Sequence, residues 1–346
     1  MDSDAHANEA TRSAGLVHAA VFYPDMSAYL DAVVPFVVEG AWAGDPVLVV
    51  GPSATVGPLR ARLRADAPQV TFIDACEAVR NPTRLIPALL DPFFTKHHDE
   101  HVRVVCESLW PGRSEAAKRT AVQTEALLNV AHAGANATIL CPYDVAGLET
   151  VDVGNALRTH PVVRAEGREP WANRGYADPT TVATGCLEPF PEPAEQSVPF
   201  RVSGRPDLFL LRAIVAARAA LAGLPHGRRE DFETAVNEVA TNALVHTGGP
   251  GIVRLWTQDD TLVCEVRDEG HLSDVLVGRR PIRSFDAVHG RGLFLVNEIC
   301  DLVQINPRPD GTIIRLHMDI HATERQQEIV EGELWEPPAW SWSAPD

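Results

Sequence analysis

The chain has 346 residues, 45% of them hydrophobic, and a formal net charge of −17. This length is sufficient for two hydrophobic cores, and no uninterrupted apolar stretch is long enough to span a membrane. The negative charge argues against a surface that binds nucleic-acid phosphates, although it suits a partner with basic segments. Residues 1–14 are polar and show no basic segment followed by an apolar core, which predicts a disordered N-terminus, no secretory signal and a cytoplasmic protein.

Between residues 15 and 176, apolar runs alternate with helical stretches. Five of these runs have the length and composition of buried strands: residues 16–23, 46–50, 70–74, 102–107 and 137–144. The alternation predicts an α/β domain around a mainly parallel sheet whose strands are buried on both faces. The glycine-containing stretch 51–58 lacks the lysine of a phosphate-binding Walker loop, so it predicts a strand-to-helix turn.

Neither the cysteines nor the clustered histidines have the spacing of a metal site. The cysteines are Cys76, Cys106, Cys141, Cys186, Cys264 and Cys300. They form no C-x-x-C pair, and four lie within apolar runs where a thiol packs as a small hydrophobic group. His97, His98 and His101 fall at a predicted helix end and point in different directions there, which is typical of a solvated cluster. We therefore expect neither a disulfide framework nor a zinc site.

The second half of the chain begins with a proline-rich segment and ends with an acidic one. Residues 177–200 contain five prolines and no clear periodicity, which predicts a partly extended linker. Residues 201–320 predict, in order, two helices, a hairpin, a loop, a helix and a second hairpin. Residues 321–346 are acidic and carry three tryptophans, so we expect disorder there, with docking on a partner or on the protein's own body as the alternative.

One helix of this region carries the peptide NEVATNALVH, residues 237–246. The helix is predicted from about Glu230 to His246, and two glycines follow it. Its apolar stripe consists of Phe232, Ala235, Val236, Val239, Ala240 and Ala243. Glu238 and Asn242 lie one turn apart at the edge of that stripe. Most such residues only form a solvated face, so the pair indicates a site only in combination with other motifs.

Three later motifs add polar groups and glycines in a fixed order. The two-residue period of an apolar strand turns Asp268 inward at its end, and Gly270 allows close approach of the backbone. Gly290 and Gly292 lie at the start of a predicted helix, where free N–H groups suit an anion. In the final hairpin, Thr312 shares the parity of the inward apolar residues, so its buried hydroxyl requires a hydrogen-bond partner.

This ordered set resembles the nucleotide site of the GHKL (Bergerat) ATPase superfamily. The short loop between the second and third motifs, together with NEVATNALVH, is similar to the anti-sigma factor kinases, the serine kinases of bacterial partner-switching systems. The resemblance covers about residues 205–320 and implies a two-layer α/β sandwich that binds ATP and Mg²⁺. E-x-x-x-N and G-x-G each occur by chance in many chains, so the order and the structural context make the set specific.

The resemblance implies roles for the residues that match the phosphate end. Asn242 would bind the Mg²⁺ that bridges the phosphates, and Glu238 would act as general base on the incoming hydroxyl. Gly290 and Gly292 would cap the phosphates. Arg291, between the two glycines, is the first candidate among the loop arginines for a contact with the phosphates. The other arginines of the loop are expected to form a solvated basic surface: Arg279, Arg280 and Arg283.

The same resemblance assigns the purine end. Asp268 would accept a hydrogen bond from the adenine amino group, Gly270 would make room for the base, and Thr312 would help to hold the same end of the purine. No phospho-accepting histidine of a sensor kinase is evident, and His246 is expected to be structural. This weighs against a two-component histidine kinase.

The N-terminal half resembles the MEDS sensory domain of bacterial regulators. The similarity lies in residues 18–50, in VVCESLW (104–110) and in ATILCPYD (137–144). It implies a RecA-like α/β fold without working phosphate motifs. Residues at strand ends are candidates for contact with a ligand, although most are expected to be packing and turn residues. They are His18, Tyr23, Glu107, Trp110, Cys141, Tyr143 and Asp144.

Together the two resemblances imply a cytoplasmic regulator of transcription. Its C-terminal domain would be an ATP-dependent serine kinase that phosphorylates a STAS-type anti-sigma-factor antagonist and sequesters an alternative sigma factor. Its N-terminal domain would bias this switch in response to a small-molecule signal, and a homodimer through the ATP domain stays open. Two alternatives remain: a non-catalytic ATP-binding module that holds the sigma factor, and a ligand sensor with a vestigial ATP domain. The carboxylate of Glu238 argues against the first, and binding of Mg-ATP would exclude the second.

Overall fold

The computed structural model describes residues 15–63, 70–165, 168–185, 190–195, 197–247, 249–280 and 291–322. These residues form two domains, built on sheets of seven and five strands. The predicted disordered N-terminus and the tryptophan-containing tail beyond residue 322 lie outside the described residues. Among the described helices, none combines the length and the apolar character needed to cross a membrane.

The N-terminal sheet contains all five predicted strands and two short additions. Its strands are β1 (Val17–Tyr23), β2 (Val47–Gly51), β3 (Val70–Asp74), β4 (Val102–Cys106), β5 (Ala137–Asp144), β6 (Val162–Arg164) and β7 (Trp171–Ala172). They lie in the order β3-β2-β4-β5-β1-β6-β7, and the described neighbours are parallel except β6 and β7. The central strands are buried on both faces, as their uninterrupted apolar sequences require. The prediction of a mainly parallel α/β sheet is therefore confirmed.

Helices pack on both faces of this sheet around two hydrophobic clusters. They are α1 (Met26–Ala43), α2 (Ser53–Leu63), α3 (Ala75–Ala78), α4 (Asp91–Lys96), α5 (Glu115–Ala131) and α6 (Thr150–Thr159). A 3-10 turn (Pro82–Arg84) and a π-helical turn (Leu85–Leu90) precede α4. Because α2 begins two residues after β2 ends, the stretch 51–58 is the strand-to-helix turn that its missing lysine predicted.

The C-terminal domain is a two-layer α/β sandwich, as predicted. Its strands are β8 (Phe200–Val202), β9 (Gly251–Gln258), β10 (Thr261–Asp268), β11 (Leu302–Arg308) and β12 (Gly311–Asp319). They form an antiparallel sheet in the order β11-β12-β10-β9-β8. One face packs against α8 (Arg205–Ala222), α9 (His226–Thr247) and α10 (Arg291–Ile299). All six residues of the predicted apolar stripe on α9 are buried in this core.

The opposite face of the C-terminal sheet is also covered, which the two-residue period of its strands does not predict. Glu265 of β10 accepts a hydrogen bond from Arg315 of β12 at 2.8 Å on this face. The Arg315 guanidinium lies 4.5 Å from the ring centroid of Phe190. Phe190 belongs to the segment 177–200, so the proline-rich segment between the domains packs on the sheet. The same segment also contains a short helix, α7 (Pro179–Gly185).

Helix α5 connects the two domains because both of them pack against it. Every residue from Ala117 to Leu128 except Arg119 is buried. One side of α5 lies in the core of the N-terminal domain, and α7 and β11 contact the helix as well. Gln304 of β11 donates a hydrogen bond from Nε2 to the carbonyl of Ala116 at 3.2 Å. A helix buried on all sides is expected where two cores meet.

The described cysteines form no disulfides. Cys76 is exposed, and four others are buried thiols: Cys106, Cys141, Cys264 and Cys300. Cys186 lies outside the described residues.

Candidate functional site

The first turn of α10 meets α9 at the residues predicted for the phosphate end. A Cβ atom built on Gly292 would lie 2.6 Å from Glu238 Oε2 and 3.4 Å from Asn242 Nδ2. Glu238 and Asn242 are each half-buried. Within the described residues, neither side chain takes part in a hydrogen bond or an ion pair. The two helices therefore bring an amide, a carboxylate and a glycine backbone together. The amide and the carboxylate can still form hydrogen bonds with a ligand.

Glycine at position 292 keeps this junction open. Any side chain there would occupy the space between the α10 backbone and the carboxylate of Glu238. The first N–H groups of a helix have no partner within the helix and carry partial positive charge, so this turn suits an anion. Arg291 is the exposed first residue of α10. Gly290, the other predicted phosphate residue, lies outside the described residues.

The residues predicted for the purine end also converge. Asp268 pairs with Thr312 across β10 and β12. Asp268 Oδ1 accepts a hydrogen bond from Gly270 N at 2.7 Å, and the Thr312 hydroxyl donates to Gly270 O at 2.6 Å. The buried hydroxyl of Thr312 thus has the hydrogen-bond partner that was predicted from its inward position on the strand. Gly311 has a φ of +140°, and a Cβ there would collide with the carbonyl oxygen of Asp268.

Helix α9 spans both ends of the site. A Cβ atom on Gly270 would lie 2.5 Å from Thr247 Cγ2, so the last turn of α9 contacts the purine end. Asn242 is five residues earlier on the same helix, a separation of about 7.5 Å at the helical rise. One rigid helix therefore fixes the distance between the two ends.

Asp268 is the titratable group among the residues predicted for the purine end. Partial burial raises its pKa, and the N–H of Gly270 and the nearby charge of His246 oppose this rise. The residue remains partly accessible at the end of its strand. A carboxylate in this position accepts hydrogen bonds and has capacity beyond the one from Gly270.

Arg279, one of the three arginines predicted to form a solvated basic surface, is buried instead. Arg279 is only 2% exposed, and its guanidinium donates to Gln123 Oε1 of α5. Burial lowers the pKa of Arg279 to about 10, and its Nε has no hydrogen-bond partner among the described residues. The prediction for Arg279 was wrong because residues 275–279 of the loop between β10 and α10 pack on the N-terminal domain. Arg280 is exposed, and Arg283 lies outside the described residues.

Asn297 on α10 joins this loop, the helix and the N-terminal domain, and sequence reasoning missed it. Its Nδ2 donates to Gly278 O at 2.8 Å. Its Oδ1 accepts from the Thr83 hydroxyl at 2.8 Å, and its backbone carbonyl accepts from Asn81 Nδ2 at 2.8 Å. A polar residue directly after the buried Val296 of an apolar helix was the available signal. Its partners in the N-terminal domain could not be read from the sequence because they lie more than 200 residues away.

Two more contacts hold the loop and α10 against the N-terminal domain. Arg84 pairs with Glu298 at 3.1 Å. Leu276 is buried in the main hydrophobic cluster of the N-terminal domain, and Val275 packs against that cluster. The segment that follows the purine end is therefore docked on the other domain.

Most of the candidate ligand residues in the N-terminal domain have structural partners. The Tyr23 hydroxyl donates to Glu107 at 2.9 Å, and the Tyr143 hydroxyl donates to Glu125 at 2.6 Å. The Arg113 guanidinium lies over the ring of Trp110, 3.9 Å from the ring centroid. This agrees with the expectation that most of these residues are packing residues.

Turn and surface groups have local partners too. Asp144 Oδ1 accepts from the N–H groups of Ala146 and Gly147 at 3.0 Å each, which closes the turn after β5. His97 pairs with Glu100 at 2.8 Å, whereas His101 pairs with Asp45 at 3.0 Å. The clustered histidines therefore point to different partners, as the sequence predicted.

Comparison with known families covers both domains. A model of the MEDS family, described as the methanogen/methylotroph DcmR sensory domain, matches residues 17–161. A model of the histidine kinase-like ATPase domain matches residues 206–318. No curated protein is significantly similar to this chain. The chain therefore contains a MEDS domain followed by a histidine kinase-like ATPase domain, and the second indicates ATP-dependent kinase or ATPase activity.

Proposed function

We propose that the protein is a serine kinase of a partner-switching system. Its C-terminal domain would bind Mg-ATP, phosphorylate a serine on a STAS-type anti-sigma-factor antagonist and sequester an alternative sigma factor. The MEDS domain would modulate this activity. The observation that carries the proposal is the convergence of Glu238, Asn242 and Gly292 where α9 meets the first turn of α10.

The residues present suit a magnesium nucleotide. The side-chain amide of Asn242 lies beside the first turn of α10 and includes an oxygen, the ligand atom that Mg²⁺ prefers. The glycine at position 292 leaves room for phosphate oxygens beside the backbone, where a side chain would contact Glu238. Asp268 and Gly270, at and just after the end of β10, lie beside the last turn of α9, where they could form hydrogen bonds with a purine. A bound Mg²⁺ would neutralise phosphate charge.

Glu238 is the candidate general base for the serine hydroxyl. Phosphoryl transfer depends mainly on positioning and charge stabilisation, and a carboxylate that accepts the hydroxyl proton completes the set. Glu238 lies beside Gly292 and is only half-buried. No described residue uses its carboxylate in a structural hydrogen bond. This favours a kinase over a module that only binds ATP, because such a module has no need of a carboxylate at this position.

The charge of the protein supports the proposed switching step. The net charge of −17 suits an antagonist with basic segments. Phosphorylation would add roughly two negative charges to that antagonist. Repulsion between like charges would then weaken its binding to the acidic kinase and leave the kinase available to the sigma factor.

The docked loop supports control by the MEDS domain. Arg279 and Asn297 connect the loop and α10 to Gln123 and Thr83 of the N-terminal domain. A change in the N-terminal domain that moves these contacts would alter the position of α10 and of Gly292 at its first turn. Coupling through packed elements of this kind typically amounts to about 1–3 kcal/mol.

The test is a transfer assay with γ-labelled Mg-ATP. The purified protein is incubated with soluble extract of its source organism, beside the Glu238→Gln variant, and labelled small proteins are identified by mass spectrometry. We expect phosphoserine on a small STAS-type protein, and a rate about 10²–10⁴-fold lower with Glu238→Gln. The variant should still bind Mg-ATP.

Other outcomes of this assay would support the alternative functions or exclude Glu238 as the base. Mg-ATP binding without any phosphorylated protein would support a non-catalytic module in which nucleotide shapes the sigma-binding surface. Absence of Mg-ATP binding would support a sensor with a vestigial ATP domain. Label that persists at the same rate in Glu238→Gln would remove Glu238 from the role of base.

A further inference from the structure

Three potential metal ligands meet inside the N-terminal domain. His18 lies on β1, Cys141 on β5, and His160 directly after α6. All three are at most 1% exposed. Their ligand atoms lie within 4.8 Å of one another, and His18 Nε2 is 3.3 Å from Cys141 Sγ. The residues are distant in the chain, and the parallel pairing of β1 with β5 and β6 brings them together.

Hydrogen bonds orient the imidazole of His160. Its Nδ1 lies 2.8 Å from the carbonyl oxygen of Ala156, which can only accept, so Nδ1 carries the hydrogen. The Thr159 hydroxyl is 2.9 Å from the same nitrogen and has the carbonyl of Asn155 as acceptor at 3.2 Å. The lone pair of His160 is therefore on Nε2.

The imidazole of His18 is oriented in the same way. Its Nδ1 lies 3.1 Å from Asn129 Oδ1. The amide nitrogen of Asn129 donates to Thr159 O at 2.9 Å, which directs Oδ1 toward His18. His18 Nδ1 thus donates, and Nε2 carries the lone pair. Metal-binding histidines typically donate their other ring N–H to an oxygen atom in this manner.

His160 Nε2 is a buried acceptor without a hydrogen-bond partner among the described residues. A thiol hydrogen bond from Cys141 to His18 Nε2 would satisfy His18 and leave His160 unexplained. A buried polar atom without a partner costs free energy unless something else binds it. A cation between the three ligand atoms would satisfy both imidazoles and the sulfur at once.

We propose that His18 Nε2, His160 Nε2 and Cys141 Sγ bind one metal ion of the zinc class. Imidazole and thiolate favour Zn²⁺ and related borderline or soft ions over Mg²⁺ or Ca²⁺, which prefer oxygen ligands. Three protein ligands leave one position of a tetrahedral ion open. A small ligand with a donor atom would bind there, in the domain assigned to sensing.

The charges around the site balance for a divalent ion. Binding releases the thiol proton of Cys141 to solvent, so the sulfur binds as a thiolate with one negative charge. Glu125 of α5 is buried in the same core, near enough to His18 for a charge on its carboxylate to interact with the imidazole. Burial raises the pKa of Glu125, and a bound cation would favour its ionised form. Hydrogen bonds from Ser108 and Tyr143 hold this carboxylate. One thiolate and one carboxylate would neutralise a divalent cation in the core.

The test uses the full-length protein. Metal content is measured on the purified protein, which is then stripped with chelator and titrated with Zn²⁺ by calorimetry and with Co²⁺ by absorption. We expect one ion per chain and a thiolate-to-cobalt charge-transfer band. Cys141→Ser should lose the band and His160→Gln should weaken binding at least 10-fold, because even the loss of a hydrogen-bond partner of a metal ligand costs about 10–100-fold. Cys264→Ser, which removes a buried thiol in the other domain, is the matched control and should bind normally.

Thermal unfolding keeps the test valid if a variant folds poorly. Zn²⁺ should raise the Tm of the wild type and of Cys264→Ser, and it should leave the Tm of Cys141→Ser unchanged. Stoichiometric binding that survives Cys141→Ser and disappears in His98→Ala would place the ion on the surface histidines and overturn the proposal. Failure of the wild type to bind Zn²⁺ or Co²⁺ would also overturn it. Neither outcome depends on kinase activity.

Discussion

Two groups of polar side chains in this protein use their hydrogen-bonding capacity in opposite ways. In the MEDS domain, the carboxylate of Glu125 is fully buried and accepts hydrogen bonds from the hydroxyls of Ser108 and Tyr143. In the ATPase domain, Glu238 and Asn242 are half-buried, and their side chains bind no other residue of the described chain. Because buried polar groups are stable only when they are satisfied, the first group stabilises the fold. The second group retains its capacity for a ligand.

The largest effect is expected at the open group. Asn242→Ala removes the proposed magnesium ligand, so the affinity for Mg-ATP should fall by about 100-fold or more. The free energy of unfolding should change by less than about 0.5 kcal/mol, because the side chain makes no hydrogen bond or ion pair within the described residues. Calorimetry with Mg-ATP and urea unfolding measure the two quantities. Asn237→Ala, on the same helix, is the control and should bind normally; an unchanged affinity in Asn242→Ala would refute the assignment of the site.

Replacing one glutamate in each group should have very different effects on the free energy of unfolding. Glu125→Ala leaves two buried hydroxyls without their acceptor and creates a cavity, so it should lower the free energy of unfolding by about 3 kcal/mol. Glu238→Ala should lower it by less than about 0.5 kcal/mol. Urea unfolding of both variants measures the difference. A large loss of stability in Glu238→Ala would mean that this carboxylate is structural after all.

The elements could be predicted, and the candidate nucleotide residues could be proposed, because their signals are local. Each strand of the parallel sheet is a short uninterrupted apolar run, and each candidate residue lies at the end of a strand or on one edge of a helix. Contacts between the domains could not be predicted, since residues such as Gln123 and Arg279 meet across 156 positions of sequence. The meeting of His18, Cys141 and His160 has the same origin. Spacing along the chain reveals only those sites whose ligands are neighbours in sequence.

A second carboxylate of the MEDS domain should make stability depend on pH. Burial raises the pKa of Glu107 from 4.5 to about 7, although hydroxyls of Thr55 and Tyr23 donate to it. Between these values the folded protein keeps a proton that the unfolded chain has released. The contribution of Glu107 to the free energy of unfolding is therefore fully present below the lower pKa. It falls as pH rises through this window, by up to about 1.4 kcal/mol per pH unit.

The Glu107→Gln variant isolates this contribution because it has no proton to release. Urea unfolding of the wild type and the variant at pH 5, 6 and 7 gives two slopes, and the wild type should have the steeper one. Parallel slopes would show that Glu107 is already ionised in the folded state at pH 5. In that case the MEDS domain would hold an exposed or paired charge instead of a buried neutral carboxyl.

The smallest effect is expected at the contact between the two domains. Gln123 accepts from Arg279, and the neighbouring Gly278 accepts from Asn297 on the helix that carries Gly292. Gln123→Ala should leave Arg279 buried without its acceptor and loosen the first turn of α10. We expect the affinity for Mg-ATP to fall by about 5-fold, at the low end of coupling between sites.

The matched control is Gln304→Ala, because Gln304 also bridges the domains but does so without touching the loop. Its Nε2 donates to Ala116 O at 3.2 Å, and its Oε1 faces His317 at 3.0 Å. If the loop carries the coupling, only Gln123→Ala weakens nucleotide binding, although both variants lose an interdomain hydrogen bond. Equal losses in the two variants would assign the effect to the general stability of the interface. Unchanged affinity in both would separate the MEDS domain from the nucleotide site, and the signal would then have to act on partner binding alone.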